Sequence, residues 1–331
     1  MKEAMFYQKL ENGAVRCDLC PRHCMIKEGE NGFCNARANM KGTLYSIVYE
    51  RPSAINIDPI EKKPLFHFIP GSSTFSIGTI GCNLECKNCQ NWELSRASAD
   101  MAGDRKKIAD MLRIAIRKGC KSVSYTYNEP TVFFEMMLDM ARLAKEEELK
   151  NVMVTNGYIE KEPLLRLIPV IDAFSVDLKA IDDDFYKKMC NGRLQAVKDT
   201  LLMLKEKGKF FEITNLVIPG LNDSFDQITR LAKWISSELG RDVPLHLSRF
   251  FPHYKLKDIP PTPEETIKQA RKIAMQHLDF VYTGNIIDAK GANTYCPKCE
   301  KLLIGRSGFG VLVDKVKDGR CVCGQTINGI F

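Results

Sequence analysis

The chain has 331 residues, 44% of them hydrophobic, and a formal net charge of +7. This is ample material for a core, and one α/β barrel with appendages accommodates the length. Lys and Arg are scattered with no basic block interleaved with aromatics, which argues against a nucleic-acid footprint; the opening MKEAMFYQKLENG lacks a secretory apolar stretch and no run of about 18 apolar residues offers a membrane span, so a cytoplasmic setting without membrane contact is expected.

Cysteine is the unusual residue, with 13 copies. In a reducing compartment, clustered cysteines read as metal ligands rather than disulfides. In chain order the first set is Cys17, Cys20, Cys24 and Cys34, spaced C-x2-C-x3-C-x9-C. Pro21 and Gly32 mark turns, as in a loop wrapped around a metal. Zinc and an auxiliary iron–sulfur cluster use the same thiolates, and spacing alone does not separate them. Four cysteines suffice, so His23 within the loop is expected at the surface.

Next come short runs rich in β-branched residues at 74–80, 122–127, 151–155, 173–178, 210–218, 244–250 and 279–284. Helical spacing of apolar residues separates them, at 104–118 (Ile108, Met111, Leu112, Ile116), 131–149 (Phe133, Met137, Met140, Leu143) and 224–239 (Ile228, Leu231, Ile235). Strand–helix alternation predicts a parallel sheet with crossover helices, and six or seven such units suit a partial or full barrel. Functional residues then belong at the C-terminal ends of the strands. Cys120 and Cys190 stand alone and read as small buried hydrophobes. The C-terminal set is Cys296, Cys299, Cys321 and Cys323, two knuckles around a Gly-punctuated hairpin. It predicts a zinc ribbon, closed and structural. No internal repeat is present. The expected divisions are a Cys-rich extension over 1–70, a barrel over 71–290 and a ribbon over 291–331.

The segment GTIGCNLECKNCQNW follows the first predicted strand and carries Cys82, Cys86 and Cys89 as C-x3-C-x2-C. Three thiolates on one loop hold three irons of a 4Fe–4S cubane and leave the fourth iron open. An open metal position binds an exogenous ligand. S-adenosylmethionine (SAM) fits that asymmetry: its amino and carboxylate groups chelate the free iron, and an electron enters the sulfonium. The resulting 5′-deoxyadenosyl radical abstracts hydrogen from a substrate, the cofactor carrying the hard chemistry.

The run DPIEKKPLFHFIPGSSTFSIGTIGCNLECKNCQNWELS (58–95), with CDLCPRHCMIKEGENGFC, TYCPKCEKLLIGR and CVCGQTINGIF, resembles the radical SAM enzymes encoded with Memo-like and AMMECR-type proteins. That group is related to pyruvate formate-lyase activating enzymes. The resemblance covers nearly the whole chain and implies a partial parallel (β/α)6 radical SAM barrel with Cys-rich extensions at both ends.

It also implies roles at the strand ends. Glu129, beside Asn128 in YTYNEP, would accept from the SAM amino group, a charge-assisted pairing. Thr155 and Asn156 would contact SAM, and Asp177 and Lys179 would meet its polar end. The backbone near Ile218 and the Asn222 side chain would lie on the adenine side. His246 or Arg249 would face the SAM carboxylate or the substrate. Two positions depart from the family pattern. Asn88 replaces a frequent aromatic that packs on adenine, and Val154 replaces an Asp associated with a monovalent cation beside SAM.

The expected function is radical initiation, on a partner protein as in glycyl-radical activation or on a small molecule. Electrons would come from an external donor such as a ferredoxin or flavodoxin, or through the N-terminal site. Memo-like or AMMECR-type proteins are the implied partners. The alternative from another class is a non-catalytic zinc-binding module.

Overall fold

The structure, a computed structural model, describes residues 1–331. The seven β-branched runs form seven parallel strands: β8 (Ser73–Gly78), β9 (Ser122–Tyr125), β10 (Lys150–Thr155), β11 (Ala173–Asp177), β12 (Phe210–Val217), β13 (Leu245–Arg249) and β14 (Val281–Gly284). They lie side by side in chain order, and β7 (Ala54–Pro59) adds to the β8 edge antiparallel. The first and last strands of this curved sheet do not pair, so the barrel is open. Parallel strands are covered on both faces, which is why β9 is buried at every residue.

The sheet holds seven parallel strands, one for each β-branched run, but at one edge it differs from expectation. It begins at Ala54, so the boundary placed at residue 70 is corrected: β7 belongs to the barrel sheet, not to the N-terminal extension. The physical reason is its edge position. Asn56 and Ile57 are exposed and the strand ends in Pro59, so it carries little of a buried strand's pattern.

Crossovers supply the outer layer. They are α1 (Trp92–Ser95), α2 (Ile108–Arg117), α3 (Phe134–Glu146), α4 (Lys161–Leu167), α5 (Asp183–Phe185), α6 (Leu194–Glu206), α7 (Phe225–Trp234) and α8 (Glu264–Ala274). Helix α2 starts four residues later than its periodicity suggested. Helix α3 follows a 3-10 turn at Pro130–Phe133. Helix α7 is opened by a capping box between Ser224 and Gln227 and closed by a π turn over Ile235–Leu239.

The N-terminal extension is built from two three-stranded antiparallel sheets. One holds β1 (Lys2–Glu3), β6 (Thr43–Ser46) and β5 (Arg37–Met40); the other holds β2 (Tyr7–Lys9), β3 (Val15–Cys17) and β4 (Met25–Ile26). Its apolar residues join the barrel in one core. Arg37 of β5 forms a fully buried ion pair with Glu135 of α3 and donates to the Met5 carbonyl at 2.9 Å, tying the extension to the barrel. His23 is half-exposed, 2.9 Å from Asp18 and 3.2 Å from Glu160.

At the other end, α9 (Ala289–Ala292) leads into the antiparallel β15 (Thr294–Tyr295), β16 (Leu302–Ser307) and β17 (Gly310–Asp314). A small core of Phe66, Phe280, Tyr282, Leu303, Ile304 and Ile327 seats this ribbon on the barrel. His67 lies between them, its Nδ1 2.7 Å from the Asn328 carbonyl and its Nε2 2.6 Å from the Tyr282 hydroxyl.

Burial holds the His67 pKa down to about 4. The unfolded chain therefore takes up a proton that the folded protein refuses between roughly pH 6.5 and 4. The stabilisation is whole above about pH 6.5 and declines as pH falls toward 4, by up to roughly 3 kcal/mol. Urea midpoints across this window should show that acid limb, and His67→Asn should flatten it. An identical limb in the variant contradicts the assignment.

Candidate active site

The loop after β8 is held by its neighbours before any cofactor enters. Asn128, just past β9, accepts from the Thr79 amide at 2.9 Å. Its Nδ2 donates to Thr79 Oγ1 (3.1 Å) and to the carbonyls of Ile80 (3.1 Å) and Gly81 (2.8 Å). Its amide hydrogens are committed to that loop, so in this structure Asn128 sets the path of the cysteine loop. Gly81 adopts φ +91°, and a Cβ there would lie 2.1 Å from the Cys34 carbonyl oxygen. The N-terminal cysteine region is thus packed directly on the residue preceding Cys82.

Farther along, the Glu85 amide donates to the Cys190 carbonyl and the Lys87 amide to that of Met189, both at 2.9 Å. Asn156 Nδ2 lies 3.8 Å from Cys82 Sγ, and Cys89 Sγ lies 3.6 Å from Ser95 Oγ. The neighbouring Cys190 thiol lowers the Cys86 pKa, whereas burial raises those of Cys82 and Cys89. Cys190 is buried as expected of a lone cysteine, but it touches the central set rather than filling a remote gap.

Cys82, Cys86 and Cys89 open into a cavity of about 1130 Å³. Its wall also includes Asn128, Glu129, Thr155, Asn156, Asp177, Lys179, Ile218, His246 and Arg249. The strand-end residues singled out from the sequence therefore converge on one space, with one exception. Asn222 lies outside the lining. Its Oδ1 accepts from the Ile218 amide at 2.6 Å, and its Nδ2 donates to the carbonyls of Lys179 (2.8 Å) and Leu216 (2.9 Å). It braces the turn after β12.

Glu129 is buried and heavily bonded within the chain. Its Oε1 accepts from the Thr131 amide (3.0 Å), Thr131 Oγ1 (2.7 Å) and Thr155 Oγ1 (2.7 Å); its Oε2 accepts from the Asn156 amide (2.8 Å). Burial pushes its pKa above the ordinary carboxylate value despite these donors. The carboxylate links the ends of β9 and β10, and Oε2, with a single donor, keeps acceptor capacity.

Asp177 and Lys179 form an ion pair at 2.8 Å. Burial opposes the Lys179 charge, but Asp177 and the nearby thiols outweigh it and raise its pKa. His246 Nε2 meets Glu212 Oε2 at 2.6 Å, and Arg249 reaches the Thr262 carbonyl at 2.7 Å and Glu264 at 3.1 Å. The Asn88 Oδ1, on the loop between the cysteines, is buried without a partner.

These residues suit a cubane and its ligand in donor chemistry. Three soft thiols rise from one loop, Cys190 is absent from the cavity wall, and polar groups face them across the space. Sequence reasoning missed Glu61, Phe66, Ser175, Thr214 and Arg306, which also line the cavity. Ser175 and Thr214 lie two residues before Asp177 and Leu216, so strand alternation carried a signal for them. Arg306 comes from the ribbon, and nothing in its local pattern points to the barrel.

The N-terminal cysteine set, Cys17, Cys20, Cys24 and Cys34, lines a separate small cavity of about 20 Å³. The Sγ atoms of Cys296, Cys299, Cys321 and Cys323 lie within 4.8 Å of one another, with Cys296–Cys323 and Cys299–Cys321 each at 3.6 Å.

Comparison with known proteins agrees with this geometry. The family model of the radical SAM superfamily matches residues 76–232. An uncharacterized protein of Methanocaldococcus jannaschii is 47% identical over 333 residues, covering 99% of both chains. The pyruvate formate-lyase-activating enzyme of Clostridium pasteurianum is 26% identical over 218 residues, covering 60% of this chain and 89% of that one. In fold, the chain is similar to Streptococcus suis SuiB, seen bound to S-adenosylmethionine, with a TM-score of 0.52 at 18% identity. That likeness covers 68% of this chain and 53% of SuiB, so the chain spans about half of SuiB's length. A parallel sheet with its cysteine loop at the first strand's C-terminal end and a family model across that region agree: the chain carries a domain of the radical SAM superfamily over residues 76–232.

Proposed function

We propose that this protein uses a 4Fe–4S cluster on Cys82, Cys86 and Cys89 to cleave SAM and to abstract hydrogen from a substrate. The observation that carries the reading is three thiols on one loop facing a cavity that strand-end polar groups also line. When bound, cluster and SAM supply one-electron cleavage of the C5′–S bond, giving methionine and a carbon radical that takes one hydrogen atom from a substrate C–H.

The chain's own residues bind and orient. Glu129 Oε2 has acceptor capacity for an ammonium hydrogen. The Asp177–Lys179 pair offers one charge of each sign to a zwitterionic group. Thr155 and Asn156 hold Glu129 in place, and the Ile218 backbone turn is braced by Asn222. Electrons come from an external one-electron donor such as a ferredoxin or flavodoxin. Memo-like and AMMECR-type proteins are proposed partners, on the motif resemblance alone. No helix is long and apolar enough to cross a membrane; a cytoplasmic setting is part of the same proposal. The superfamily is enzymatic, which disfavours the purely zinc-binding alternative.

We assign one zinc to each flanking cysteine set. A tetrahedral zinc with bonds of about 2.3 Å spaces its thiolates about 3.8 Å apart. The 3.6 Å pairs of the C-terminal set match that spacing. For the N-terminal set the assignment rests on ligand count alone, since its four sulfurs are not gathered within 4.8 Å as the C-terminal four are. Metal analysis of anaerobically prepared protein should therefore give about four irons and two zincs. About eight irons and one zinc would replace the N-terminal zinc by an electron relay. Electron paramagnetic resonance tests the open iron: the reduced central cluster should change its spectrum on adding SAM. A spectrum indifferent to SAM would contradict the reading.

A further inference from the structure

Two arginines reach the central cysteine loop from outside it. Arg22 lies between Cys20 and Cys24 in the N-terminal segment. It donates from Nε to the Asn83 carbonyl and from Nη2 to the Asn191 carbonyl. Arg96, just past α1, donates from Nη1 to the Leu84 carbonyl at 3.0 Å. Asn83 and Leu84 lie between Cys82 and Cys86, so both guanidiniums act on that span. They also gather on one ring, that of Phe33, the residue before Cys34. The Arg22 Cζ is 3.5 Å from the ring centroid and the Arg96 Cζ 5.1 Å.

Two like charges on one ring repel, and the π face and the carbonyls offset that repulsion. Glu85, the acid of this loop, pairs with Lys255 at 3.2 Å and with neither arginine. Asn83 is held from its other side as well. Its Nδ2 donates to the Tyr158 carbonyl at 2.6 Å, and its Oδ1 accepts from Asn156 Nδ2 at 2.9 Å. Asn83 also lines the N-terminal cysteine cavity, so the two cysteine regions share a wall at the residue after Cys82.

Resting on the radical SAM reading above, we propose that the N-terminal cysteine segment is the scaffold of the cluster loop, with Arg22 and Arg96 as its positioning residues. Their hydrogen bonds fix the course of the Cys82–Cys86 span, and Phe33 holds both guanidiniums in place. The planar fork of Arg22 suits a bridge between two carbonyls, here those of Asn83 and Asn191. The two charges have a second effect. Reduction adds one negative charge to a thiolate-bound cluster, so positive charge beside the loop favours the reduced state. Groups outside the ligand set thus orient the ligands and tune the metal centre they hold.

The test has two arms, both on the full chain. Hydrogen exchange of cluster-free protein reads the scaffold. In Arg22→Met and in Phe33→Leu the amides of Glu85 and Lys87 should exchange about tenfold faster, the loss expected for a hydrogen bond to a charged group. Amides of β9 should keep the parent's rate. Redox titration of the cluster-containing protein reads the charge. At the parent's midpoint potential, Arg96→Met should lower the reduced-to-oxidised ratio about tenfold, equivalent to about 59 mV for one electron. Arg96→Lys keeps a charge and a donor for Leu84, and its ratio should stay within about twofold of the parent's. Parent exchange rates at Glu85 and Lys87 in both variants, or equal acceleration in β9, overturn the scaffold. An unchanged ratio in Arg96→Met, or an equal loss in Arg96→Lys, overturns the electrostatic role. A parent protein that binds no cluster removes the radical SAM reading instead, and the exchange arm still decides the scaffold.

Discussion

Replacing Cys86 with serine should reduce SAM cleavage to background while leaving the protein folded. Cys86 is one of three thiols on a loop whose course is set by bonds that do not involve it. The Asn128 side chain holds Thr79 to Gly81, and the amides of Glu85 and Lys87 are held by the 189–190 backbone. Serine removes an iron ligand without disturbing those anchors. The readouts are cluster absorbance, 5′-deoxyadenosine formation and melting temperature. The first two should vanish and the third should hold. Cys321→Ser should behave in reverse, lowering the melting temperature while surviving folded protein still cleaves SAM. A Cys86→Ser protein that retains full cleavage would remove this loop from the chemistry.

The second large effect lies far from the cavity. Removing one partner of the Arg37–Glu135 pair should destabilise the protein by about 3–5 kcal/mol, because an uncompensated charge is left in the core. Both side chains are essentially unexposed, at 1% and 0%. Arg37 Nε and Glu135 Oε2 already lack partners, and the remaining bonds, Arg37 Nη1 to the Met5 carbonyl and the Met5 amide to Glu135 Oε1, supply no opposite charge. Arg37→Met alone should lower the urea midpoint sharply. The double change Arg37→Met with Glu135→Leu should recover much of the loss, since apolar groups of similar volume replace buried pairs at little cost. A single variant within about 1 kcal/mol of the parent would show that the extension does not depend on this pair.

Much of this architecture is legible in the residues. The parallel strands carry β-branched runs because both faces of the sheet are covered, and each of the seven appears where that pattern occurs. The cysteine sets are legible because reduced thiols at short spacing have few other uses. Edge strand β7 is not legible, because its exposed Asn56 and Ile57 remove the burial signal. The small N-terminal strands are two to four residues long, too short for any periodicity to register.

Roles within the site separate in the same way. Asn128 and Asn222 stand at the strand ends where ligand contacts were expected, and within the chain their side chains also hold the cysteine loop and the turn after β12. Spacing places a residue at a strand end, but tertiary partners decide what its side chain is free to do. Arg306 and Glu61 show the converse. They meet in the cavity from segments about 240 residues apart, and local pattern does not encode such an encounter.

The most direct measurement is product analysis of the reduced, cluster-containing protein incubated with SAM. The account predicts 5′-deoxyadenosine and methionine in equal amounts, dependent on the reductant and on Cys82, Cys86 and Cys89. SAM recovered intact from protein that carries its cluster in the reduced state would contradict it.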